Sequence, residues 1–370
     1  GEKAQDRERV RQLGERCGNH ACGHSRPNGN VAAMPGSLRL SGFVNAHSHA
    51  FQRALRGKVE GGDFWAWRES MLDLAGGLTP ELVRERYART YRELLAAGYT
   101  AVGEFHYVGL AEAQAAVEAA HEAGIELVLL LAAYGRGGLD RFRQESVADY
   151  LRQVEALRGE GARVGLAPHS VRACPRDWLE EIGAYAEREG LVLHVHADEQ
   201  PREIEECLAE HGLRPVELLA ETGCLGPRTT VVHATHAGER ELDVLAEHGA
   251  GVCVCPTTEA NLGDGFPPLE GLLARGVPLC IGSDSNVRID PLEELRELEG
   301  TARRLTLRRN VIPVKELLAI GSSSGAKAIG IDEWPDVEVD LGHPSLGSVE
   351  PADVPAALVH GCGADVFVSS

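Results

Sequence analysis

The sequence predicts an α/β protein with a (β/α)8 TIM-type barrel, and three observations support that prediction. Eight apolar segments alternate with helical segments between about residues 42 and 331, which is typical of parallel strands joined by crossover helices. The first apolar segment ends in two histidines, His47 and His49. Polar side chains also follow most of the later segments, at the strand ends where such barrels carry their functional groups.

The predicted strands are short runs rich in Val, Leu, Ile and Ala. We expect them at 42–47, 100–106, 125–133, 164–168, 191–197, 230–234, 251–255 and 278–282. Helices are predicted at 51–56, 80–97, 111–123, 146–158, 175–189, 201–211, 214–222, 238–248, 268–274, 291–309 and 313–329. Thr79-Pro80-Glu81 is a typical helix start, with Thr at the N-cap and Pro at the first position. The stretch 58–77, rich in Gly and aromatic residues, is predicted to be a loop.

A single catalytic barrel over 38–331 accounts for most of the chain. Residues 1–37 are predicted to form an irregular segment, a possible remnant of a small β appendage, and 332–370 its C-terminal part. In that part, Val337–Leu341 alternates between apolar and polar residues, and 365–369 could pair with it. A doubly wound sheet is the alternative fold, but no glycine-rich phosphate motif follows the first strand.

Composition excludes several classes of partner. The formal net charge of −19 argues against nucleic acid and anionic membranes as partners, and no apolar run approaches the roughly 20 residues of a membrane helix. Nine cysteines without framework spacing, together with no visible signal peptide, predict reduced thiols and a cytoplasmic protein. The Cys and His residues of 17–24 are spaced too tightly for a zinc finger.

Four residues at strand ends have the chemistry of metal ligands. His47 and His49 are spaced i, i+2, so a strand points both imidazoles the same way. His196 ends the fifth predicted strand, and Asp284 follows the eighth in a tight Ile-Gly-Ser-Asp turn. Three imidazoles and one carboxylate suit one divalent ion such as zinc, with a position left for water. Buried, hydrogen-bonded histidines and a helix N-cap are the alternatives for these residues.

Two further residues are candidates for proton transfer. Glu199 lies just past the same strand end as His196, where it can face a substrate rather than the metal. His233 ends the sixth strand and could hold or deprotonate an attacking water. Glu104 could instead be a hydrogen-bonding residue of the barrel floor, His194 could point inward or pack against the barrel, and His236 could support the site from behind.

The arrangement resembles the mononuclear deaminase branch of the amidohydrolase superfamily, and within it the N-formimino-L-glutamate deiminases. The segments that carry this resemblance span about 38–331 and are 45–53, 64–68, 103–107, 167–172, 194–200, 232–236, 256–264 and 282–285. The segment Pro256-Thr-Thr-Glu-Ala-Asn-Leu-Gly-Asp264 is specific to this group.

The resemblance implies a function and a role for each matching residue. It implies one zinc ion on the ligand set His47, His49, His196 and Asp284. It implies catalytic roles for Glu199, His233 and Asp284, and substrate binding by Gln52, Arg68, Tyr107, His169 and Arg172. The implied reaction is zinc-dependent hydrolysis of N-formimino-L-glutamate to N-formyl-L-glutamate and ammonia, in histidine degradation. The partner is thus a small-molecule dicarboxylate, and we expect a homodimer.

Two other functions remain open from the sequence. A deaminase of a guanine- or cytosine-like heterocycle would share the metal ligands, although arginines in the pocket argue against it. A non-catalytic descendant could bind a dicarboxylate, although it would have no need to retain both Glu199 and His233.

Overall fold

Eight parallel strands form the central barrel of the computed structural model, which describes residues 36–368. The strands of the molecule are β1 Ser37–Ser41, β2 Phe43–Ser48, β3 Tyr99–His106, β4 Glu126–Ala133, β5 Val164–Pro168, β6 Leu193–Ala197, β7 Thr229–His233, β8 Gly251–Val254, β9 Leu279–Ile281 and β10 Asp336–Asp340. Strands β2 to β9 pair in chain order. The predicted barrel is therefore confirmed, and the doubly wound alternative is wrong because its strand order would not follow the chain.

The barrel closes between its first and last strands. Ser48 bridges Asp284 in parallel register. The amide of His49 donates to the carbonyl of Asp284 at 2.8 Å, and the Asp284 amide donates to the His47 carbonyl at 3.0 Å. Gly282 permits this approach, since a Cβ there would lie 2.7 Å from the His47 carbonyl oxygen. Closure therefore brings the first and last predicted metal ligands together.

Helices cover the outside of the barrel. They are α1 Phe64–Gly76, α2 Pro80–Ala96, α3 Leu110–Ala123, α4 Val147–Gly159, α5 Arg176–Glu189, α6 Pro201–His211, α7 Pro215–Glu221, α8 Glu239–His248, α9 Pro256–Leu262, α10 Leu269–Ala274, α11 Pro291–Thr306, α12 Val314–Gly321, α13 Ser323–Ile329 and α14 Val354–Gly361. Short 3-10 helices occupy Ala50–Leu55, Asp140–Phe142, Pro344–Leu346, Pro351–Asp353 and Ala364–Val366. Among residues 36–368, no helix is both long and apolar enough to cross a membrane.

Several local predictions were wrong. The expected loop 58–77 contains helix α1, whose first turn is capped by Asp63 accepting from the Ala66 amide at 3.0 Å. Helix α9 follows β8 directly and was not predicted. The single helix expected at 313–329 is two helices that meet at Ser322. Helix α9 and the two helices within 313–329 have only seven or eight residues each, and such short helices carry little periodic signal.

A two-stranded antiparallel sheet lies outside the barrel. Strand β1 pairs with β10 from Ser37 opposite Asp340 to Ser41 opposite Asp336. The pairing expected between 337–341 and 365–369 is limited, in the described part, to a bridge from Val339 to Phe367 and a bond from the Val368 amide to the Glu338 carbonyl. The C-terminal segment also contains helix α14, which the expectation of β structure did not include. Residues 1–35, which include the Cys and His residues at 17–24, lie outside the described residues.

Candidate active site

Three imidazole nitrogens converge at the carboxyl end of the barrel. His47 Nε2 lies 3.2 Å from His49 Nε2 and 3.1 Å from His196 Nε2. Asp284 Oδ1 is 3.3 Å from His49 Nε2 and 3.6 Å from His47 Nε2. All four residues are buried. The four ligands predicted from three distant parts of the chain thus form one cluster.

The hydrogen bonds behind this cluster determine which ring nitrogens face it. His49 Nδ1 is 2.9 Å from the Phe105 carbonyl, and His196 Nδ1 is 3.0 Å from the His169 carbonyl. A carbonyl only accepts, so each Nδ1 carries the proton and each Nε2 directs a lone pair at the cluster. Burial lowers the pKa of both imidazoles, which favours the neutral form that binds metals. Converging lone pairs beside a carboxylate fit a divalent cation of the zinc type.

Glu199 and His233 lie beside the cluster. His233 Nε2 is 3.7 Å from Glu199 Oε1 and 3.8 Å from Asp284 Oδ2. Both His233 and Asp284 have left-handed backbone conformations, with φ of 75° and 43°. Such conformations are uncommon for residues other than Gly, and here they turn both side chains inward at the strand ends.

The two residues have strongly shifted proton affinities. Burial raises the pKa of Glu199 to about 7, although His233 and Arg172 oppose that rise. Burial alone would lower the pKa of His233, but the carboxylates of Glu199, Glu259 and Asp284 outweigh it and raise the pKa to about 10. A divalent cation bound beside His233 would oppose these carboxylates. A carboxyl group that titrates near neutral pH is suited to carry a proton in either direction.

A pocket opens above the cluster, and all five predicted substrate-binding residues line it: Gln52, Arg68, Tyr107, His169 and Arg172. Gln52 Nε2 donates to the Tyr107 hydroxyl at 3.0 Å, which in turn donates to Met71 Sδ at 3.3 Å. The His169 ring packs against Tyr134 with ring centroids 4.4 Å apart. Arg68 lies on helix α1 rather than on the predicted loop.

Arg172 approaches Glu199 from the side of the pocket. Its Nη2 lies 3.8 Å from Glu199 Oε2, and its Nε lies 3.4 Å from Glu203 Oε1. Arg136 supports the backbone there by donating to the carbonyls of Val171 and Arg172 at 3.0 and 2.9 Å. The pocket therefore combines a cationic side with a metal-type cluster and a titratable carboxyl group.

Comparison with known proteins agrees with this geometry. Residues 40–334 match the model of the amidohydrolase family. The chain belongs to the amidohydrolase family. Of the 370 residues, more than half fall in the match, so the expectation of a hydrolase acting on carbon–nitrogen bonds is confirmed.

The chain is also similar to individual members of this family and to proteins of the same fold. The amidohydrolase described here is 38% identical to formimidoylglutamate deiminase of Pseudomonas aeruginosa, over 82% of this chain and 75% of that one. It is similar to the crystal structure of an amidohydrolase from Brucella melitensis, with a TM-score of 0.80, 32% identity and coverage of 89% of this chain and 84% of that one. An adenosine deaminase from Xanthomonas campestris with bound zinc shares the fold, with a TM-score of 0.82 at 23% identity over 90% of this chain and 78% of that one.

Several polar residues at the strand ends of this amidohydrolase hold the barrel together instead of lining the pocket. Glu104 accepts from the Ala50 amide at 2.7 Å, so it is a hydrogen-bonding residue as the alternative expects, but it lies opposite Ser48 at the carboxyl end of the barrel and not at its floor. His106 Nδ1 lies 3.1 Å from the Tyr87 hydroxyl. His194 shares the strand face of His196, and its Nε2 lies 2.8 Å from the Ala328 carbonyl.

Glu259 is a site residue that the sequence reasoning missed. It lies on the unpredicted helix α9, and its Oε1 is 3.2 Å from His233 Nδ1. The same oxygen accepts from the Cys255 amide at 2.9 Å, and the Glu259 side chain is buried. Glu259 thus orients the His233 ring so that Nε2 faces the cluster. Its place inside the family-specific segment 256–264 was the signal that could have identified it.

Glu203 was also missed. It lies in the first turn of helix α6, four residues after Glu199, and is fully buried. An acidic residue in a first helical turn usually interacts with the helix dipole, so the sequence contained no distinct signal of its contacts with the site.

Proposed function

We propose that this amidohydrolase hydrolyses N-formimino-L-glutamate to N-formyl-L-glutamate and ammonia, a step of histidine degradation. The proposal is supported by 38% identity to formimidoylglutamate deiminase over 82% of the chain. The observation that carries it is the position of Arg172, whose guanidinium lies 3.8 Å from the buried carboxyl group of Glu199. A substrate that presents a carboxylate a few bonds from its reacting carbon fits this spacing.

One zinc ion held by His47, His49, His196 and Asp284 is part of the proposal. Zinc bound in that cluster would supply a Lewis acid that lowers the pKa of a coordinated water toward about 7. The Nε2 atoms of His49 and His196, which lie 3.2 and 3.1 Å from His47 Nε2, support this ligand set. The bound zinc of the adenosine deaminase from Xanthomonas campestris is consistent with it.

Glu199 and His233 would carry the protons. Water adds its oxygen to the amidine carbon, and Glu199 transfers a water proton to the imino nitrogen. When the tetrahedral adduct collapses, its hydroxyl proton passes through Glu199 to the same nitrogen, the C–N bond breaks and ammonia leaves. His233 Nε2, 3.7 Å from Glu199 Oε1, would hold the attacking water and stabilise the charge that develops on its oxygen. The Glu199 pKa of about 7 suits a group that must accept and release protons in one cycle.

The arginines would recognise the two carboxylates. The α-carboxylate of formiminoglutamate is attached to the carbon that bears the amidine nitrogen, so it would lie near Arg172 when the amidine is beside Glu199. The side-chain carboxylate would extend toward Arg68 on helix α1. Guanidinium groups bind carboxylates with paired hydrogen bonds. A local cationic surface also offsets the repulsion from a chain with net charge −19.

Arginine substitutions test the substrate assignment. A hydrogen bond to a charged group contributes about 1.5–3 kcal/mol, so Arg172→Ala and Arg68→Ala should each lower kcat/KM for formiminoglutamate about 10- to 150-fold. The loss should be much smaller for formamidine, which has no carboxylate. Arg188→Ala, on the exposed side of helix α5, is the matched control.

Two outcomes would contradict the assignment. Equal losses on both substrates would mean that the arginines support the fold and not substrate binding. Faster turnover of guanine or cytosine than of formiminoglutamate would favour a heterocycle deaminase. A cytoplasmic homodimer remains part of the proposal, and light scattering of the purified protein would test the dimer.

A further inference from the structure

Glu203 connects two parts of the site that perform different tasks. Its Oε2 accepts a hydrogen bond from the Glu199 amide at 3.3 Å. Its Oε1 lies 3.4 Å from Arg172 Nε. The Glu203 side chain is 0% exposed and that of Arg172 is 19% exposed, so water competes little with this contact. One carboxylate therefore contacts both the backbone of the proton-transfer residue and the guanidinium of the pocket.

Arg172 has two carboxylates within reach, and they would have opposite consequences for catalysis. Pairing through Nε with Glu203 keeps the guanidinium at the side of the pocket, where its remaining N–H groups are available to a ligand. Its Nη2 is already only 3.8 Å from Glu199 Oε2. A buried guanidinium that lost Glu203 would leave an uncompensated charge, which is costly in a low-dielectric site. Closer pairing with Glu199 would relieve that cost and would engage the carboxyl group needed for proton transfer.

The backbone contact has a separate effect. Glu199 is followed by Gln200, the N-cap of helix α6, and precedes Glu203 by one helical turn. Asp198, immediately before Glu199, has a left-handed backbone with φ of 56°. The bond from the Glu199 amide to Glu203 therefore holds the residue that follows a strained position. A shift of about 1 Å in a reacting group is enough to slow an enzyme about 100-fold.

We propose that Glu203 is a positioning residue that holds Arg172 against the pocket wall and away from Glu199, while it fixes the Glu199 backbone. The substrate role of Arg172 rests on the proposed function, whereas the two contacts of Glu203 do not. Specificity for a carboxylate-bearing amidine thus depends on a carboxylate that is not among the residues lining the pocket.

A double-mutant cycle separates this role from a structural one. Glu203→Gln retains an acceptor for the Glu199 amide but removes the charge that pairs with Arg172. In the native background it should lower kcat/KM for formiminoglutamate about 10- to 100-fold. In the Arg172→Ala background the same replacement should cost less than about 3-fold, because no guanidinium remains to be misplaced. Equal losses in both backgrounds would refute the proposal.

Further variants guard against a trivial loss of folding. Glu205→Gln, on the exposed face of the same helix, should behave as the native protein. Glu203→Asp keeps the charge and should recover part of the activity lost in Glu203→Gln. Unfolding temperature and zinc content should stay near native values in each variant that enters the cycle. If Glu203→Gln does not fold, Glu203→Asp must show a loss that disappears in the Arg172→Ala background, or the proposal fails.

A crystal structure of the zinc-loaded Glu203→Gln protein decides the point without any substrate. We expect Arg172 to move toward Glu199 and to shorten the native separation of 3.8 Å. An unmoved Arg172 would overturn the proposal. If the native protein does not hydrolyse formiminoglutamate, the proposed function fails, and the position of Arg172 in this crystal structure still tests the inference.

Discussion

Replacing Glu259 by Gln removes the charge behind His233 with little change in volume. In the native protein, Glu259 Oε1 lies 3.2 Å from His233 Nδ1 and also accepts from the Cys255 amide at 2.9 Å. A carboxylate can only accept, so it keeps the proton on Nδ1. A glutamine amide could instead donate to Nδ1. The ring proton would then be on Nε2, which faces Glu199 and Asp284.

The hydrogen bond between Glu259 and His233 predicts how much kcat should fall in Glu259→Gln. A hydrogen bond to a charged group contributes about 1.5–3 kcal/mol of stabilisation, whereas a bond between neutral groups contributes about 1 kcal/mol. If that contribution orients His233 in the transition state, its loss lowers kcat about 10- to 150-fold. The carboxylate of Glu259 also helps to raise the pKa of His233. Its removal should therefore shift the limb of the pH–rate profile that reports His233 to lower pH.

Steady-state kinetics over a range of pH values would measure both effects, with zinc content measured on the same preparations. Glu247→Gln, on helix α8 and about half exposed, is the control and should leave both quantities unchanged. A Glu259→Gln protein that binds zinc, turns over within about 2-fold of the native rate and keeps its pH profile would refute the reasoning. A lower kcat with an unchanged pH profile would assign Glu259 to the fold alone.

Three more predictions follow from the site and the barrel. Glu199→Gln should retain zinc and substrate affinity but lower kcat at least about 100-fold, the usual scale for a positioned proton carrier; normal turnover would show the assignment to be wrong. The native protein should contain one equivalent of zinc, His47→Ala should bind much less by elemental analysis, and a metal-free preparation with full activity would contradict the metal assignment. Burial raises the pKa of Glu104 to about 8, so the folded protein holds a proton between about pH 4.5 and 8 that the unfolded chain has released, and stability should fall as pH rises through that window. Glu104→Gln lacks this titration, so its urea-measured stability relative to native should increase from pH 5 to pH 8, and a constant difference would disprove the shift.

The barrel itself followed from local patterns because each strand is a buried apolar run. Phe43–Ser48 and Tyr99–His106 are buried along their whole length, so they contain no alternation that could be mistaken for a two-sided sheet. Helix α2 was predicted from Thr79 and Pro80, and its N-cap bond from the Leu82 amide to Thr79 Oγ1 is present at 3.4 Å. Apolar runs and helix caps depend mainly on residues that are close in the sequence, so they can be recognised without knowledge of the tertiary structure.

The unpredicted elements depend on contacts between distant residues. Strand β1 has partly exposed residues and pairs with β10, about 300 positions later, and nothing within either segment specifies that partner. The glycines and aromatic residues of 58–77 predict a loop, but Asp63 caps the first turn of helix α1 within that stretch. Capping by one side chain can outweigh the glycines in front of it.

The sequence by itself determined which residues stand at the strand ends and what chemistry they offer. His47 and His49 share a face through the two-residue period of a strand, and Asp284 follows an apolar run, so the sequence identifies the candidate ligands. Only the tertiary structure decided which other residues contact and orient the side chains of the site. Glu259 meets His233 across 26 positions, and Glu203 meets Arg172 across two different strand ends. Parallel pairing of neighbouring strands creates these contacts, since it places the carboxyl ends of β5 and β6, and those of β7 and β8, side by side at one rim. No local sequence pattern records a distance across that rim.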